Sequence, residues 1–206
     1  MLYYKILDKE RLEVVKYLKN FKKDFYLGGG TALALQIGHR DSVDFDFFSK
    51  KDIDTQKLFQ MIKDVFKNFE INKIQEEENT LTVIIGENVK LSFFTLKVDL
   101  IEDFVSDENL KLASVLDIAL MKLNAITSRA TSKDYIDLYF ILKKYKLEEL
   151  LIKLREKFPN LDEALVLKSL VYFDDIEEEE IEFSDGFQVE LSEVEGFLEK
   201  VVKKTN

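Results

Sequence analysis

The chain has 206 residues and a net charge of -10, from 40 acidic and 30 basic side chains. A hydrophobic share of 46% supports a buried core and excludes wholesale disorder, while the absence of cysteine excludes disulfides, thiolate zinc sites and cysteine nucleophiles. Acidic charge disfavours broad, non-specific nucleic-acid binding but leaves a local basic site open. Without an apolar signal core or an apolar run near ~18 residues, we expect a cytoplasmic protein outside the membrane.

The first half of the chain mixes helical and extended patterns. Apolar spacing predicts helices over 9–23, over 31–37 and from residue 54 or 55 to about 69, and strands over 25–27, 43–48, 71–75, 80–85 and 89–94. Gly86-Glu87-Asn88 predicts a hairpin turn between the last two strands. In the first helix, Leu12, Val15, Leu18 and Phe21 form the predicted apolar face.

The second half reads as helical throughout. Ser114 and Asp117 resemble a capping box that opens a helix to about residue 128, and further helices are predicted over 132–145, 147–158, 161–173 and 188–203. The change near residue 110 predicts two lobes, 1–110 and 111–206, that pack on each other. The acidic runs at 76–78 and 174–180 are either solvated loops or a docking strip for a basic partner.

A glycine turn joins the second predicted helix to the strand before it. The sequence Leu27-Gly-Gly-Gly-Thr-Ala-Leu33 lets the backbone approach a ligand closely, because glycine carries no side chain and adopts positive φ. The free N–H groups that open the helix favour an anion such as phosphate, and Thr31 adds a hydroxyl. The alternative is a turn that needs glycine for its shape alone.

Two carboxylates stand two residues apart in the predicted strand at 43–48. Asp44 and Asp46 therefore share one face, while Val43, Phe45 and Phe47 point the other way into a core. Neighbouring carboxylates repel each other, and a divalent cation such as magnesium relieves that repulsion. The alternative is an edge strand with two ordinary solvent-facing acids.

A third charged group lies on two consecutive helices. Lys122 and Arg129 are seven residues apart and share a face if that helix continues far enough, and Asp134 and Asp137 share a face of the next helix. These residues predict a cationic clamp for a triphosphate, with the acids holding the cations in place. A weak ion-pair cluster between helices is the alternative.

In this order, the glycine turn, the Arg-x-Ser-x-Asp-x-Asp strand at 40–46 and the Lys-Asp-x-x-Asp helix start at 133–137 resemble the AbiEii/AbiGii-type nucleotidyltransferases. These are toxins of type IV toxin–antitoxin and phage-defence systems in the polymerase-β-like superfamily. The resemblance covers residues from about 25 to about 175. It implies an α+β fold in which an N-terminal nucleotidyltransferase-type mixed sheet with flanking helices precedes a helical lobe that completes the active-site cleft.

The resemblance also implies an activity and the residues that carry it. The reaction is transfer of a nucleoside monophosphate from NTP to an RNA, tRNA in particular, or to a protein hydroxyl, with Mg²⁺ or Mn²⁺ as cofactor and a cognate antitoxin as a partner. Catalytic roles fall on Asp44, Asp46, Lys122 and Asp134, metal binding on Asp44 and Asp46, and nucleotide binding on Gly29, Gly30, Thr31, Arg40, Arg129, Lys133 and Asp137.

The sequence departs from the superfamily at its third carboxylate. On the strand at 89–94 the position in phase is Ser92, and the next acid is Asp99. Two alternatives follow: a degenerate homologue that binds nucleotide and acts through a protein partner, or an interaction protein that docks through its acidic C-terminal segment. His39 is a possible base or an incidental residue, and Arg40 is expected to pair with Asp44 or to contact phosphate.

Overall fold

A mixed sheet of seven strands forms the framework of the protein, and the computed structural model describes residues 1–205. The strands are β1 (Tyr26–Gly28), β2 (Phe45–Ser49), β3 (Ile71–Glu77), β4 (Thr80–Ile85), β5 (Val89–Thr95), β6 (Val105–Ser106) and β7 (Lys111–Leu112). Their order across the sheet is β3-β4-β5-β2-β1-β7-β6. The pairs β2–β5 and β1–β7 are parallel, and the other neighbours are antiparallel.

Helices cover the sheet and build the second half of the chain. They are α1 (Lys9–Leu18), α2 (Gly29–Ile37), α3 (Thr55–Val65), α4 (Val115–Ala125), α5 (Ser132–Leu142), α6 (Leu147–Lys157), α7 (Glu163–Ser169) and α8 (Leu191–Thr205). Helix α2 packs on β1, β2, α4 and α5, while α8 packs on α5 and α6. Through these contacts α2 joins the sheet to the helical half.

The predicted α+β class is confirmed, and the mixed sheet is present. Strands β6 and β7 were not predicted, because two residues are too few to display an alternating pattern. Leu27 of β1 pairs in parallel with Leu112 of β7, so the sheet includes residues beyond position 110. The predicted helix at 161–173 shortens to α7, and the helix predicted to reach residue 128 ends at Ala125.

The apolar face of α1 differs from the prediction. Leu12 is 37% exposed, whereas Arg11 is buried with Val14, Val15 and Leu18. These four buried residues follow the i, i+3, i+4, i+7 spacing of one helical face, so a charged side chain occupies the first position of an otherwise apolar stripe. A buried arginine requires partners, and Arg11 has three, described below.

A buried ion pair between α4 and α6 fixes the loop that joins β5 to β6. Asp117 accepts hydrogen bonds from the backbone N–H of Ile101 (2.9 Å) and Glu102 (3.1 Å), and its Oδ1 lies 2.7 Å from the Nζ of Lys157. Both charged side chains are fully buried. Ser114 accepts a hydrogen bond from the N–H of Asp117, which confirms the predicted helix cap.

We expect the substitution Asp117→Asn to destabilise the protein by about 3–5 kcal/mol, because it leaves the Lys157 ammonium buried without its counter-charge. Denaturant titration measures this change. The matched control is Asp54→Asn, which alters an exposed helix cap and ion pair and is expected to cost about 1 kcal/mol or less. Equal losses of unfolding free energy in the two variants would show that the buried pair contributes no more to stability than the exposed one.

Within residues 1–205, none of the helices combines the length and the apolar character that spanning a lipid bilayer requires.

Candidate active site

The glycine turn brings the start of α2 against the start of β2. Gly28 of β1 pairs in register with Asp46 of β2, and Gly29 follows with φ of +65°. A Cβ atom on Gly29 would lie 2.9 Å from Oδ2 of Asp46, and one on Gly30 would lie 2.6 Å from Nη2 of Arg40. The turn therefore needs glycine both for its backbone angle and for the space that Asp46 and Arg40 occupy.

The N-terminus of α2 opens toward the same place. Among residues 1–205 no side chain caps this helix, and Gly29, Gly30 and Thr31 line a cleft. The buried Thr31 hydroxyl donates to the backbone oxygen of Asp44 and lies 2.7 Å from the Ser42 hydroxyl. Thr31 thus holds the segment before β2 in place, and the helix N–H groups are the donors left for an anion.

Asp44 and Asp46 both line the cleft, although only Asp46 lies on a strand. Phe45 and Phe47 are buried as predicted, but Val43 is 48% exposed because β2 begins only at Phe45. Burial and the neighbouring charge of Asp44 raise the pKa of Asp46, against weaker opposition from nearby cations. The pair therefore carries unfavourable negative charge that a cation would relieve.

The strand beside β2 carries a serine and a lysine next to the aspartate pair, at the place where the superfamily has its third carboxylate. Ser92 of β5 pairs in register with Asp46 and is buried, and the Nζ of Lys90 lies 3.4 Å from Oδ2 of Asp44. Asp99 is exposed, forms an ion pair with Lys50 and does not line the cleft. Position 92, as the strand spacing predicted, is the neighbour of the aspartate pair.

Asp137 lies at the centre of a buried charge network. Its carboxylate accepts two hydrogen bonds from Arg40, at 2.8 Å each, and contacts the Nζ of Lys122 at 2.6 Å and Nε2 of His39 at 2.6 Å. Burial alone would raise the pKa of Asp137, but the charges of Lys122 and Arg40 outweigh it and hold that pKa well below its usual range. Arg40 thus pairs with Asp137, whereas the expected partner was Asp44 or phosphate.

Asp134 gathers a second set of cations one helical turn earlier. The carboxylate of Asp134 lies 2.7 Å from the Nζ of Lys122 and 2.8 Å from the Nε of Arg129. Arg129 lies beyond the end of α4, so it does not share a helix face with Lys122 as predicted. The two cations come together because both contact Asp134. Burial raises the pKa of Asp134, yet Lys122 and Arg129 more than reverse that effect and lower it. The residues of the predicted clamp therefore lie together, with the acids between the cations, and their role toward a triphosphate stays a prediction.

His39 supports this network from inside the protein. It is fully buried, and burial lowers its pKa despite the opposing pull of Asp137, so the ring is neutral at neutral pH. A neutral ring that contacts a carboxylate through Nε2 carries its proton there and donates it to Asp137. Nδ1 has no hydrogen-bond partner within the described chain. A side chain without solvent access orients Asp137 and is out of reach of a substrate.

The acidic C-terminal segment forms one wall of the cleft. We call residues 177–182 the acidic strap; it contains five glutamates and one isoleucine. Its backbone pairs with Thr131 at Glu177 and accepts the N–H of Asp41 at Glu182. The Glu179 side chain lies 3.3 Å from the Nζ of Lys133. The strap is thus part of the cleft, a position that the sequence did not predict.

Together these groups enclose a cleft of about 570 Å³. Eight carboxylate side chains and five cationic side chains line it. Each cation is already paired with a carboxylate: Arg11 with Asp8, Arg40 with Asp137, Lys122 with Asp134 and Asp137, Arg129 with Asp134, and Lys133 with Glu179. The cleft offers helix N–H groups to an anion and an aspartate pair to a cation, which suits a metal-bound polyphosphate.

The profile of one protein family, described as "Nucleotidyl transferase AbiEii toxin, Type IV TA system", matches residues 16–203. The chain belongs to the AbiEii nucleotidyltransferase toxin family. An uncharacterized protein of Aquifex aeolicus is 35% identical over 206 residues, which cover 96% of this chain and 97% of that protein. The resemblance drawn from the sequence is confirmed, and the chain is a nucleotidyltransferase of a type IV toxin–antitoxin family.

Solved structures share the fold of this family member. MenT4, a nucleotidyltransferase toxin from Mycobacterium tuberculosis, has a TM-score of 0.61 at 15% identity, covering 94% of this chain and 80% of MenT4. JHP933 from Helicobacter pylori has a TM-score of 0.59 at 20% identity, covering 100% of this chain and 95% of JHP933. At these identities the likeness concerns the fold.

The side chains of the cleft supply only part of the ligand set of a divalent metal ion. Asp44 and Asp46 supply hard oxygen ligands of the kind that magnesium prefers. Within residues 1–205, no group of three or more His, Cys, Asp or Glu side chains is arranged to hold a metal ion. Phosphate oxygens and water would complete the ligand set, which is the usual arrangement for magnesium at nucleotide sites.

We expect Gly29→Ala to lower transfer at least about 10-fold, because alanine at positive φ costs about 1–2 kcal/mol and its Cβ displaces the Asp46 carboxylate. The control is Gly196→Ala in α8, where a Cβ meets nothing within 4 Å and the helix gains about 0.5–1 kcal/mol. Initial rates at saturating NTP measure the effect. Full activity in Gly29→Ala would contradict the close fit between the two motifs.

Proposed function

We propose that the protein transfers a nucleoside monophosphate from NTP to a hydroxyl of an RNA acceptor, tRNA-like in kind, with magnesium as cofactor. The observation that carries the proposal is the meeting of the glycine turn, the aspartate pair and the Lys122–Asp134 clamp in one cleft. Family membership supports the NTP substrate and an antitoxin partner. The proposal extends to a role in phage defence, as the family resemblance implies.

The triphosphate is placed at the start of α2. The N–H groups of Gly29 and Gly30 face a cleft that carries the positive end of the helix dipole. Arg129 and Lys133 line the same cleft, with about 61% and 33% of their side chains exposed. Both are free to exchange part of a carboxylate contact for a phosphate oxygen, whereas Lys122, only 7% exposed, is held by two aspartates.

Magnesium would be held by Asp44 and Asp46 and would stabilise charge on the attacking and leaving oxygens. Because the lining carboxylates outnumber the cations and every cation is paired, a free triphosphate would meet net negative charge. The cleft is therefore expected to bind the metal-complexed nucleotide and to reject the metal-free one.

The bond changes follow from the proposed placement. The acceptor hydroxyl oxygen bonds to the α-phosphorus, the bond from that phosphorus to the β-bridging oxygen breaks, and pyrophosphate leaves with the electron pair. Ser92 offers no carboxylate to receive the hydroxyl proton, so we assign that proton to water in the open cleft. We assign the stabilisation of the departing pyrophosphate to Arg129 and Lys133, the two cations of the cleft whose side chains are most exposed.

The test incubates the purified protein with each α-labelled NTP, magnesium and total bacterial RNA. Asp44→Ala and Asp46→Ala variants, checked for folding by circular dichroism, serve as controls. Label on RNA with the unmodified chain alone supports the proposal and identifies the nucleotide. Label on protein would show that the acceptor is a protein and not RNA. Nucleotide binding without label on any acceptor would favour a degenerate homologue that binds without transfer, with Ser92 in place of the third carboxylate as the first explanation to test.

A further inference from the structure

Arg11 makes contacts that the predicted site did not include. It is 5% exposed and lies on α1, far in sequence from the aspartate pair. Its Nε donates to the backbone oxygen of Val43 at 2.7 Å, and its Nη2 donates to the backbone oxygen of Asn88 at 3.1 Å. Its Nη1 forms an ion pair with Asp8, the N-cap of α1.

These contacts fasten the segment that presents Asp44. Asp44 lies outside β2, so the ladder between β2 and β5 does not fix it. The backbone on either side of the Val43–Asp44 peptide is held by two side chains instead. Arg11 binds the oxygen of Val43, and Thr31 binds the oxygen of Asp44.

The same end of α1 also holds the turn between β4 and β5. The N–H of Glu87 donates to Oε1 of Glu10 at 3.0 Å, and Asn88 accepts from Arg11. Lys90, two residues beyond Asn88, stands 3.4 Å from Asp44. One guanidinium thus ties the segment carrying Asp44 to the turn that leads into the strand beside it.

We propose that Arg11 is a positioning residue for the metal-binding aspartate Asp44, an inference that rests on the proposed function. Its planar fork spans two carbonyl oxygens and one carboxylate in a fixed geometry. A lysine at this position would keep the charge but lacks that fork, so it cannot reproduce all three contacts. Arg11 acts through the Val43 carbonyl, and its removal frees the Asp44 backbone to move.

The test measures Mn²⁺ binding directly, from the loss of the free Mn²⁺ signal in electron paramagnetic resonance at 25 °C. The variants are Arg11→Lys and Arg11→Met, each with its Tm recorded. The control is Arg155→Lys, which changes an exposed arginine paired with Glu163 on the surface. The Mn²⁺ binding that is lost in Asp46→Asn is the binding that depends on the aspartate pair. The magnesium dependence of transfer is measured in parallel.

We expect both Arg11 variants to raise the Mn²⁺ dissociation constant about 10–100-fold, the usual effect of losing a group that orients a metal ligand. Arg155→Lys is expected to bind as the unmodified chain does. A lower Tm with unchanged Mn²⁺ binding in folded Arg11→Lys would show a structural role alone and overturn the inference. Absence of Mn²⁺ binding in the unmodified chain would instead overturn the proposed metal site, and the inference with it.

Discussion

The substitution Asp46→Asn is expected to lower nucleotidyl transfer about 10³-fold while making the metal-free fold more stable at neutral pH. Transfer falls because a metal ligand is lost, and metal assistance supplies several kcal/mol of transition-state stabilisation. Stability rises because burial and Asp44 disfavour the Asp46 carboxylate and raise its pKa. Asparagine fills the same space without that charge.

The sign of the pH dependence follows from the raised pKa. Below the unfolded pKa of about 3.8, Asp46 is protonated in both states and carries no penalty. As pH rises from about 3.8 through the raised folded pKa of Asp46, the free energy of unfolding of the unmodified protein falls, whereas that of Asp46→Asn does not change through this group. Thermal unfolding in EDTA from pH 3 to pH 8 measures this, and a difference that shrinks with rising pH would contradict the account.

The substitution Asp137→Asn is expected to cost about 3–5 kcal/mol, or roughly 10 °C in Tm. Asp137 is the counter-charge shared by Arg40 and Lys122, all three being buried. Without the Asp137 carboxylate, the buried cations Arg40 and Lys122 have only Asp134 as a nearby buried counter-charge among residues 1–205. The exposed pair of Glu179 and Lys133 provides the control, since Glu179→Gln is expected to change stability by less than about 1 kcal/mol.

The pH dependence of Asp137→Asn has the opposite sign. The folded pKa of Asp137 lies well below the unfolded value of 3.8, so its contribution is complete above about pH 4. It is lost as pH falls below 3.8 toward the folded pKa. Denaturant titrations at pH 7, 5 and 3 should show a constant difference at the first two values and a smaller one at the third. A loss of similar size in Glu179→Gln would remove the special role of the buried network.

The sequence predicted which residues come together at the cleft because its motifs report local geometry. Glycines mark a backbone that must approach a neighbour, and Gly29 and Gly30 abut Asp46 and Arg40. Residues three apart on a helix share a face, and Asp134 and Asp137 both contact Lys122. The roles assigned to these residues in binding and catalysis remain predictions for the experiments above.

Other features depend on long-range contacts that no local pattern contains. Arg40 pairs with Asp137 across 97 residues, so its partner was invisible in the sequence around it. The acidic strap reaches the cleft through backbone pairing with Thr131 and Asp41, which its composition does not encode. Arg11 occupies the first position of the buried face of α1, which is otherwise apolar. The predicted face began one residue later, at Leu12, and Arg11 was therefore not identified as buried.

Paired reactions with α-labelled and γ-labelled NTP test the central claim most directly, with the acceptor RNA and magnesium present in both. We predict that the α-label joins the acceptor and that the γ-label leaves as pyrophosphate, in stoichiometric amounts and only with Asp46 intact. The γ-label joining the acceptor would reveal phosphoryl transfer. Unchanged transfer of the α-label by Asp46→Asn would show that the aspartate pair in this cleft does not carry the reaction.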